Sequence, residues 1–383
     1  MFRGWNEIFA EGKRAEATQR LKALGFSEAS VARLFEVYRG GAWLGGVWGE
    51  LIGRLSSASA PERATTRLHD LLLHHALEIG EIPPRRFVDL IVPLLAGSSK
   101  AYLHLQRHPD ALLRAWRADP SRPLRREAME AACAPIAAAE DFETLCRALR
   151  RYRREIFFRI ALRDLSVGAD IRETMGELSD LADVLLATAV RGCMRLLGVP
   201  APPVVLALGK LGGRELNFSS DIDLLFLYDA SSPEGASPVR RQGIYARLCE
   251  TVVRALQQPT EEGFCFRVDL DLRPDGRNGP LVNSISAALT YYENWGATWE
   301  RVALLKARPV AGDLAGGTRA LAAFEPFIYR KYLDYTVISD LAEMKGKIER
   351  KLAQRRNGFD LKLSRGGIRE IEFIVHALQL LHA

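Results

Sequence analysis

GKLGGRELNFSSDIDLLF, residues 209–226, decides the fold. It follows Val204-Val205-Leu206-Ala207-Leu208, a short apolar run ending in glycine, which is the pattern of a buried strand. A glycine-rich turn comes next, and an Asp-x-Asp pair, Asp221 and Asp223, opens a second strand that runs to Tyr228. Residues two apart on a strand share a face, so the two carboxylates project together while Ile222 and Leu224 turn away. Glycines let a backbone approach a phosphate closely, and free N–H groups there bind anions. Two neighbouring carboxylates repel until a shared cation relieves them, and oxygen ligands suit Mg²⁺ or Mn²⁺. Few protein ligands leave metal positions open for phosphate oxygens. A lone Asp-x-Asp is commonly a surface strand end, and a glycine turn alone is equally weak. Their order, with further acids downstream, carries the signal.

Working outward, Val239 to Gln257 has helical spacing, and Phe264 to Leu272 reads as a third strand. On that strand Arg267, Asp269, Asp271 and Arg273 occupy alternate positions and so share one face. Acids would serve a metal there and arginines a phosphoryl charge. Strand, turn, strand, helix, strand is a small α/β unit. Residues 1 to about 200 read as helix after helix, with apolar positions such as Leu68, Leu71 and Leu72 at three- and four-residue spacing. Breaks fall at Pro83-Pro84, Gly97-Ser98-Ser99 and Pro120-Ser121-Arg122-Pro123. After Ser284 helices are expected over 285–295, 299–307, 337–355 and 367–382. The last pattern is still running at Ala383, so a fragment of something longer is expected. The expected class is α+β and mainly helical: a helical domain over 1–198, a catalytic core over 199–312, and the start of a further helical domain over 313–383.

The 383 residues are 48% hydrophobic and 26% charged, which fits a folded globular chain and argues against disorder. A net charge of +6 is mild, so acidic partners and an ordinary solvated arginine surface both remain open. The five cysteines, Cys133, Cys146, Cys193, Cys249 and Cys265, show no C-x-x-C spacing, which points to a reducing compartment and away from a structural zinc site. With no leader and no apolar stretch of spanning length, a cytoplasmic protein is expected and no membrane partner. The histidine groups His69, His74, His75 and His104, His108 lack a third ligand and read as ordinary helix residues. Tyr291, Tyr292, Trp295 and Trp299 read as packing aromatics, one of which could stack on adenine.

The order of turn, acid pair and later acid resembles the polymerase-β-like nucleotidyltransferase superfamily, with Gly209-Lys210 where Gly-Ser usually stands. The fuller wording resembles one family: the bifunctional glutamine synthetase adenylyltransferase/adenylyl-removing enzyme, N-terminal half. The segments that carry it are 209–226, VDLDLRPDGRNGPLVNS (268–284), WERVALLKARPVAGD (299–313), GGIREIEFIVHALQL (366–380) and RREIFFRIALRDL (153–165). The resemblance implies Mg²⁺-dependent removal of AMP from a tyrosine of glutamine synthetase, with inorganic phosphate as the attacking group and ADP released. AMP, ADP or ATP would be the nucleotide, and a PII protein the regulator. It implies that Asp221 and Asp223 bind metal with Asp269 or Asp271 as third ligand, Asp269 being preferred. Gly209, Lys210, Gly212 and Gly213, with Ser220, would cradle the nucleotide phosphates, and Arg273 would hold phosphoryl oxygens. Lys306 and Arg308, expected on the helix after the core, are either second contacts or an exposed basic face. Glu370 and Glu372 match a family motif without a chemical role of their own. Two competing readings stay open: a nucleotidyltransferase with another acceptor (a PII-type protein, RNA or a small molecule), and a non-catalytic module that binds glutamine synthetase. No RNA-binding module accompanies the core, so nucleic acid is not expected, and the intact acids argue against the second.

Overall fold

The computed structural model describes residues 4–10, 13–230, 237–329 and 366–382, with 339–340, 342–343, 345–346, 349–350, 360–362 and 364. The helix expected over 337–355 lies mostly outside the described residues. Helices α1 to α8 are Trp5–Ala10, Arg14–Ala23, Glu28–Gly40, Trp48–Ser56, Pro61–Ile79, Pro84–Gly97, Ser99–Arg107 and Asp110–Arg117. Then follow α9 (Arg126–Ala137), α10 (Phe142–Leu162), α11 (Ile171–Leu197), β1 (Val204–Leu208), α12 (Gly209–Gly212), β2 (Ile222–Tyr228) and α13 (Pro238–Gln257). The chain continues through β3 (Val268–Asp269), β4 (Val282–Ser284), α14 (Ile285–Trp295), α15 (Thr298–Leu304), β5 (Arg308–Gly312), α16 (Leu314–Ile328) and α17 (Ile368–His382). None of the described helices is long and apolar enough to cross a membrane.

Two compact units emerge, and α10 and α11 contribute residues to both. The first, residues 1–125 with 153–177, is all helical. Its core gathers Phe9, Leu34, Trp48, Leu51, Phe87 and Leu94, with Phe9 edge-on to Trp48 at 5.1 Å between ring centres. Buried Arg163 is paired with Glu177 at 3.0 Å and donates to the Pro120 carbonyl at 2.8 Å, so a charged group sits inside without an orphaned proton. His69 lies between Glu36 and Asp70, and burial pushes His104, packed on Phe158, down to about 4.

The second unit, residues 126–152 with 178–383, holds the sheet. Its strand order is β3-β2-β1-β5, and β4 pairs with β2 beyond β3. β1 runs antiparallel to β2 and β5, while β3 and β4 run parallel to β2. All five residues of β1 are buried, as a continuous apolar run requires when both faces of a strand are covered. Val204, Leu206, Leu208, Leu225 and Leu227 pack against Ala288, Tyr292, Phe324 and Leu380 of the helices on that face. In β2 only Asp223 is less than fully buried.

The structure corrects two expectations. The strand read over Phe264–Leu272 is only Val268–Asp269, because the Asp271 amide turns back to the Asp269 carboxylate at 2.8 Å and Asp275 takes a left-handed backbone at φ +61°. The four-residue charged face beyond Asp269 therefore does not form. The helix read over 299–307 ends at Leu304, and Arg308 begins a strand that the sequence reading missed. In the compact units the second half of α11 goes with the sheet. Side chains of α11 explain why. Fully buried Asp183 accepts from Arg126 at 2.9 Å and from Arg308 at 2.7 and 3.1 Å, and Asp180 pairs with Arg214 at 2.9 Å. Arg150 of α10 is likewise buried and donates to the carbonyls of Cys146, Ala255, Gln258 and Gly263, closing the end of α13.

Asp183 thus compensates two guanidinium groups at once. Asp183→Ala should leave Arg308 without its carboxylate and Arg126 with only Glu130 and Asp180, and lower stability by about 2–4 kcal/mol, the upper end being tempered by the partial exposure of the arginines. The urea midpoint measures this, and an unchanged midpoint would remove Asp183 as the tie between α11 and the sheet.

Candidate active site

The turn after β1 is shaped by one carboxylate. Register pairs Leu208 with Asp223, so the chain leaves β1 beside that side chain. Gly209 has φ +54°, and a Cβ there would stand 2.3 Å from Asp223 Oδ2, so no other residue fits. The following residues make a single helical turn, α12, closed by the Gly213 amide on the Gly209 carbonyl at 3.1 Å. Gly212 has a different reason to be glycine. Its Cβ would lie 2.1 Å from the Lys306 carbonyl and 2.8 Å from that of Ala207, so it lets two backbones pass. Gly209 and Lys210 line the pocket described below, and Gly212 and Gly213 do not. Beyond the turn, buried Leu216 anchors the loop, and Asn217 Oδ1 accepts from the Ser219 amide and the Ser220 hydroxyl, both at 2.9 Å.

The acids converge through strand register. In the parallel β2–β3 pair Asp223 sits directly beside Asp269, on strands about 4.8 Å apart. Burial, then the charges of Asp269 and Asp221, push the Asp223 carboxyl up to about 6, opposed by Lys362 and Lys210. Asp221, Asp223 and Asp269 all line one pocket. The Asp221 carboxylate is ion-paired with Arg267, whose guanidinium also donates to the Ser219 carbonyl at 2.9 Å. Among the described residues, no three acid, histidine or cysteine side chains stand close enough to enclose an ion unaided. The arrangement is therefore a crowded pair, Asp223 and Asp269, with a third acid at the rim held by an arginine.

Three residues singled out in the sequence are spent elsewhere. Asp271 is paired with Arg277 at 2.7 Å and is absent from the pocket lining, so of the two alternatives Asp269 is the acid brought in. Arg273 donates to the carbonyls of Leu270, Gly279 and Arg277 at 2.9, 3.1 and 3.2 Å, which ties its own loop. Arg308 holds Asp183 and the Leu211 carbonyl. Lys306 does line the pocket, from the turn after α15, with its ammonium 2.9 Å from Glu215.

The pocket has a volume of about 640 Å³. Of its remaining wall the sequence singles out only Trp299, among the aromatics that could stack on adenine, and Glu372, without a chemical role. Leu272, Trp299, Val302 and Phe373 make an apolar side, and Lys362, Arg369, Glu372 and His376 a polar one. Burial, then the charge of Lys306, holds the His376 imidazole below its ordinary range. A signal existed: positions 369, 372, 373 and 376 fall on one face of a helix. What lay opposite that face was not visible. Tyr292, by contrast, is core, stacked on Phe327 at 5.0 Å, and Trp295 is exposed.

A glycine turn against an acid pair on a small mixed sheet, set among helices, defines a nucleotidyltransferase-like α+β core. The family model for glutamate-ammonia ligase adenylyltransferase matches residues 88–323, and the chain belongs to that family of nucleotidyltransferases. A second family model, GlnD PII-uridylyltransferase, matches residues 342–383. The chain is similar to bifunctional glutamine synthetase adenylyltransferase/adenylyl-removing enzymes. With that of Thioalkalivibrio sulfidiphilus it is 43% identical over 77% of this chain and 32% of the relative. With that of Nitrosococcus oceani it is 44% identical over 61% and 26%, and with that of Brucella suis 37% over 84% and 35%. The chain thus spans about a third of the length of the curated relatives it matches.

The crowding of Asp223 sets a stability prediction. Its folded-state pKa of about 6 lies above the unfolded value, so folding favours the protonated form. Stability should fall as pH rises from about 4 to about 6, and the cost is complete above that range. Two pKa units correspond to about 3 kcal/mol, which partial solvent access reduces to about 1–2 kcal/mol. Asp223→Asn should therefore melt higher than wild type at pH 8 in chelator and about equally at pH 4. A lower melting temperature at pH 8 would contradict the crowding.

Proposed function

We propose that this chain carries adenylyl removal: attack of inorganic phosphate on the AMP esterified to a tyrosine of glutamine synthetase, releasing ADP and the free tyrosine. The observation that carries it is the placing of Asp223 and Asp269 side by side against the Gly209 turn, with Asp221 at the mouth of the same pocket. Unrelieved negative charge on hard oxygen ligands fits Mg²⁺, with Mn²⁺ as alternative. Bound there by Asp221, Asp223 and Asp269, such an ion would neutralise phosphate charge and polarise the phosphorus–oxygen bond. Gly209 and Lys210 lie where the nucleotide phosphate would meet backbone and a fixed cation, and the Asn217–Ser220 loop offers hydroxyls at the rim. Trp299, with Leu272 and Val302, supplies an apolar seat for adenine. Asp221 would exchange Arg267 for the metal as the site fills.

Positioning and charge neutralisation, not a covalent enzyme intermediate, would supply the rate. The reading includes glutamine synthetase as protein substrate, supported by the names of the relatives, and a cytoplasmic setting. A PII-type regulator rests on the sequence resemblance alone.

The test is ADP release from adenylylated glutamine synthetase with Mg²⁺ and phosphate. Wild-type chain should release ADP only when both are present. Asp221→Asn/Asp223→Asn should lose at least about a thousandfold of that rate while keeping its helical circular dichroism. Undiminished release by the double variant would refute the site. Phosphate-independent incorporation of AMP from ATP would refute the direction.

A further inference from the structure

Phosphorolysis needs a seat for a second anion. Inorganic phosphate is a dianion at neutral pH, and it must come within bonding distance of a phosphodiester beside three carboxylates. Fixed positive charge is needed in the pocket to offset those acids. Four cationic side chains line the cavity: Lys210, Lys306, Lys362 and Arg369. Lys210 sits within the glycine turn, and Asp223 feels its charge together with that of Lys362. Lys306 is committed to Glu215 at 2.9 Å and lies 3.9 Å from Glu372. Among the described residues, neither Lys362 nor Arg369 is paired with a carboxylate.

These two are also held together by backbone. The Arg369 amide donates to the Lys362 carbonyl at 3.0 Å, and the Ile368 amide to that of Leu361, also at 3.0 Å. Asp360 fixes the other end of the segment, accepting from the Lys362 amide at 2.8 Å and donating its own amide to the Ser364 hydroxyl at 2.8 Å. Two amides at the start of α17 are thereby used, so an anion here would be bound by side chains. The guanidinium offers a planar fork of donors that matches two phosphate oxygens, and the ammonium adds a point charge.

We propose that Lys362 and Arg369 form the seat of the attacking phosphate, the group that becomes the β-phosphate of ADP. The inference rests on the adenylyl-removing reading. A phosphate oxygen held there forms the new bond to the α-phosphorus as the bond from that phosphorus to the tyrosyl oxygen breaks. The proton carried by the attacking hydrogen phosphate ends on the tyrosine hydroxyl. One diester anion and one dianion thus give ADP carrying three negative charges and neutral tyrosine, with no oxidant or further reactant required.

The pair should distinguish ADP from AMP, since only ADP reaches the seat. In calorimetric titrations with Mg²⁺, Lys362→Met/Arg369→Gln should weaken ADP by about tenfold or more and AMP by less than about twofold. In the release assay the KM for phosphate should rise by a similar factor while that for adenylylated glutamine synthetase stays put. Arg369→Lys, which keeps the charge, should recover part of the loss. Lys362 is exposed and Arg369 half-buried, and unchanged circular dichroism checks the fold. ADP and AMP weakening together, or ADP unchanged, overturns this inference alone. Wild-type protein that binds neither nucleotide overturns the adenylyl-removing reading, and this one with it.

Discussion

Two carboxylates on adjacent parallel strands repel each other in half-buried surroundings, and the second unit is organised to keep them there. Asp223 would move its charge to water if it could. It cannot, because β2 is pinned between β1 and the short β3, and its neighbours Ile222 and Leu224 are fully buried. The repulsion appears as the upward shift of its carboxyl, and the Gly209 turn supplies the space for its oxygen. Under the proposed reading, a cation is what would relieve this repulsion.

The supports for this arrangement lie outside the sheet. Apolar burial of β1 sets the position of the turn, and ionic ties hold it to α11. Arg308 reaches from β5 to Asp183 on α11 and on to the Leu211 carbonyl, so a residue with phosphate-binding chemistry serves instead to hold the turn. Arg273 does the same for the loop after β3. Arginines near the pocket are therefore not interchangeable evidence of phosphate contact. Those already saturated by carbonyls and buried carboxylates are scaffold, and those with open donors are the candidates.

The C-terminal helix completes the site. α17 buries Leu380 in the core against the sheet and presents Arg369, Glu372, Phe373 and His376 to the pocket. Its outer face carries Ile371, Ile374, Val375 and Leu378 in the open. A pocket that draws on residues from 209 to 376 is assembled late in the chain, and the family's acid motif alone describes only one of its walls.

Strands β1 and β2, helix α13, the glycine turn and the acid pair were legible because each is a local pattern: an apolar run, a period of 3.6, a period of 2. The motif wording in 209–226, with that in 153–165, 268–284, 299–313 and 366–380, suggested the family that the comparisons bear out. The sequence could not separate Asp269 from Asp271, since both alternate correctly on an imagined strand. Only the fold shows that the strand stops, because the Asp269 carboxylate captures the next turn's amide and Asp271 finds Arg277. Nor could it tell the pocket lysine, Lys306, from the scaffold arginine, Arg308, two residues on. Local spacing determines which side chains share a face. Which faces meet, and which charges are already paired when they do, is decided by contacts between segments far apart in the chain, and these exist only in the folded molecule.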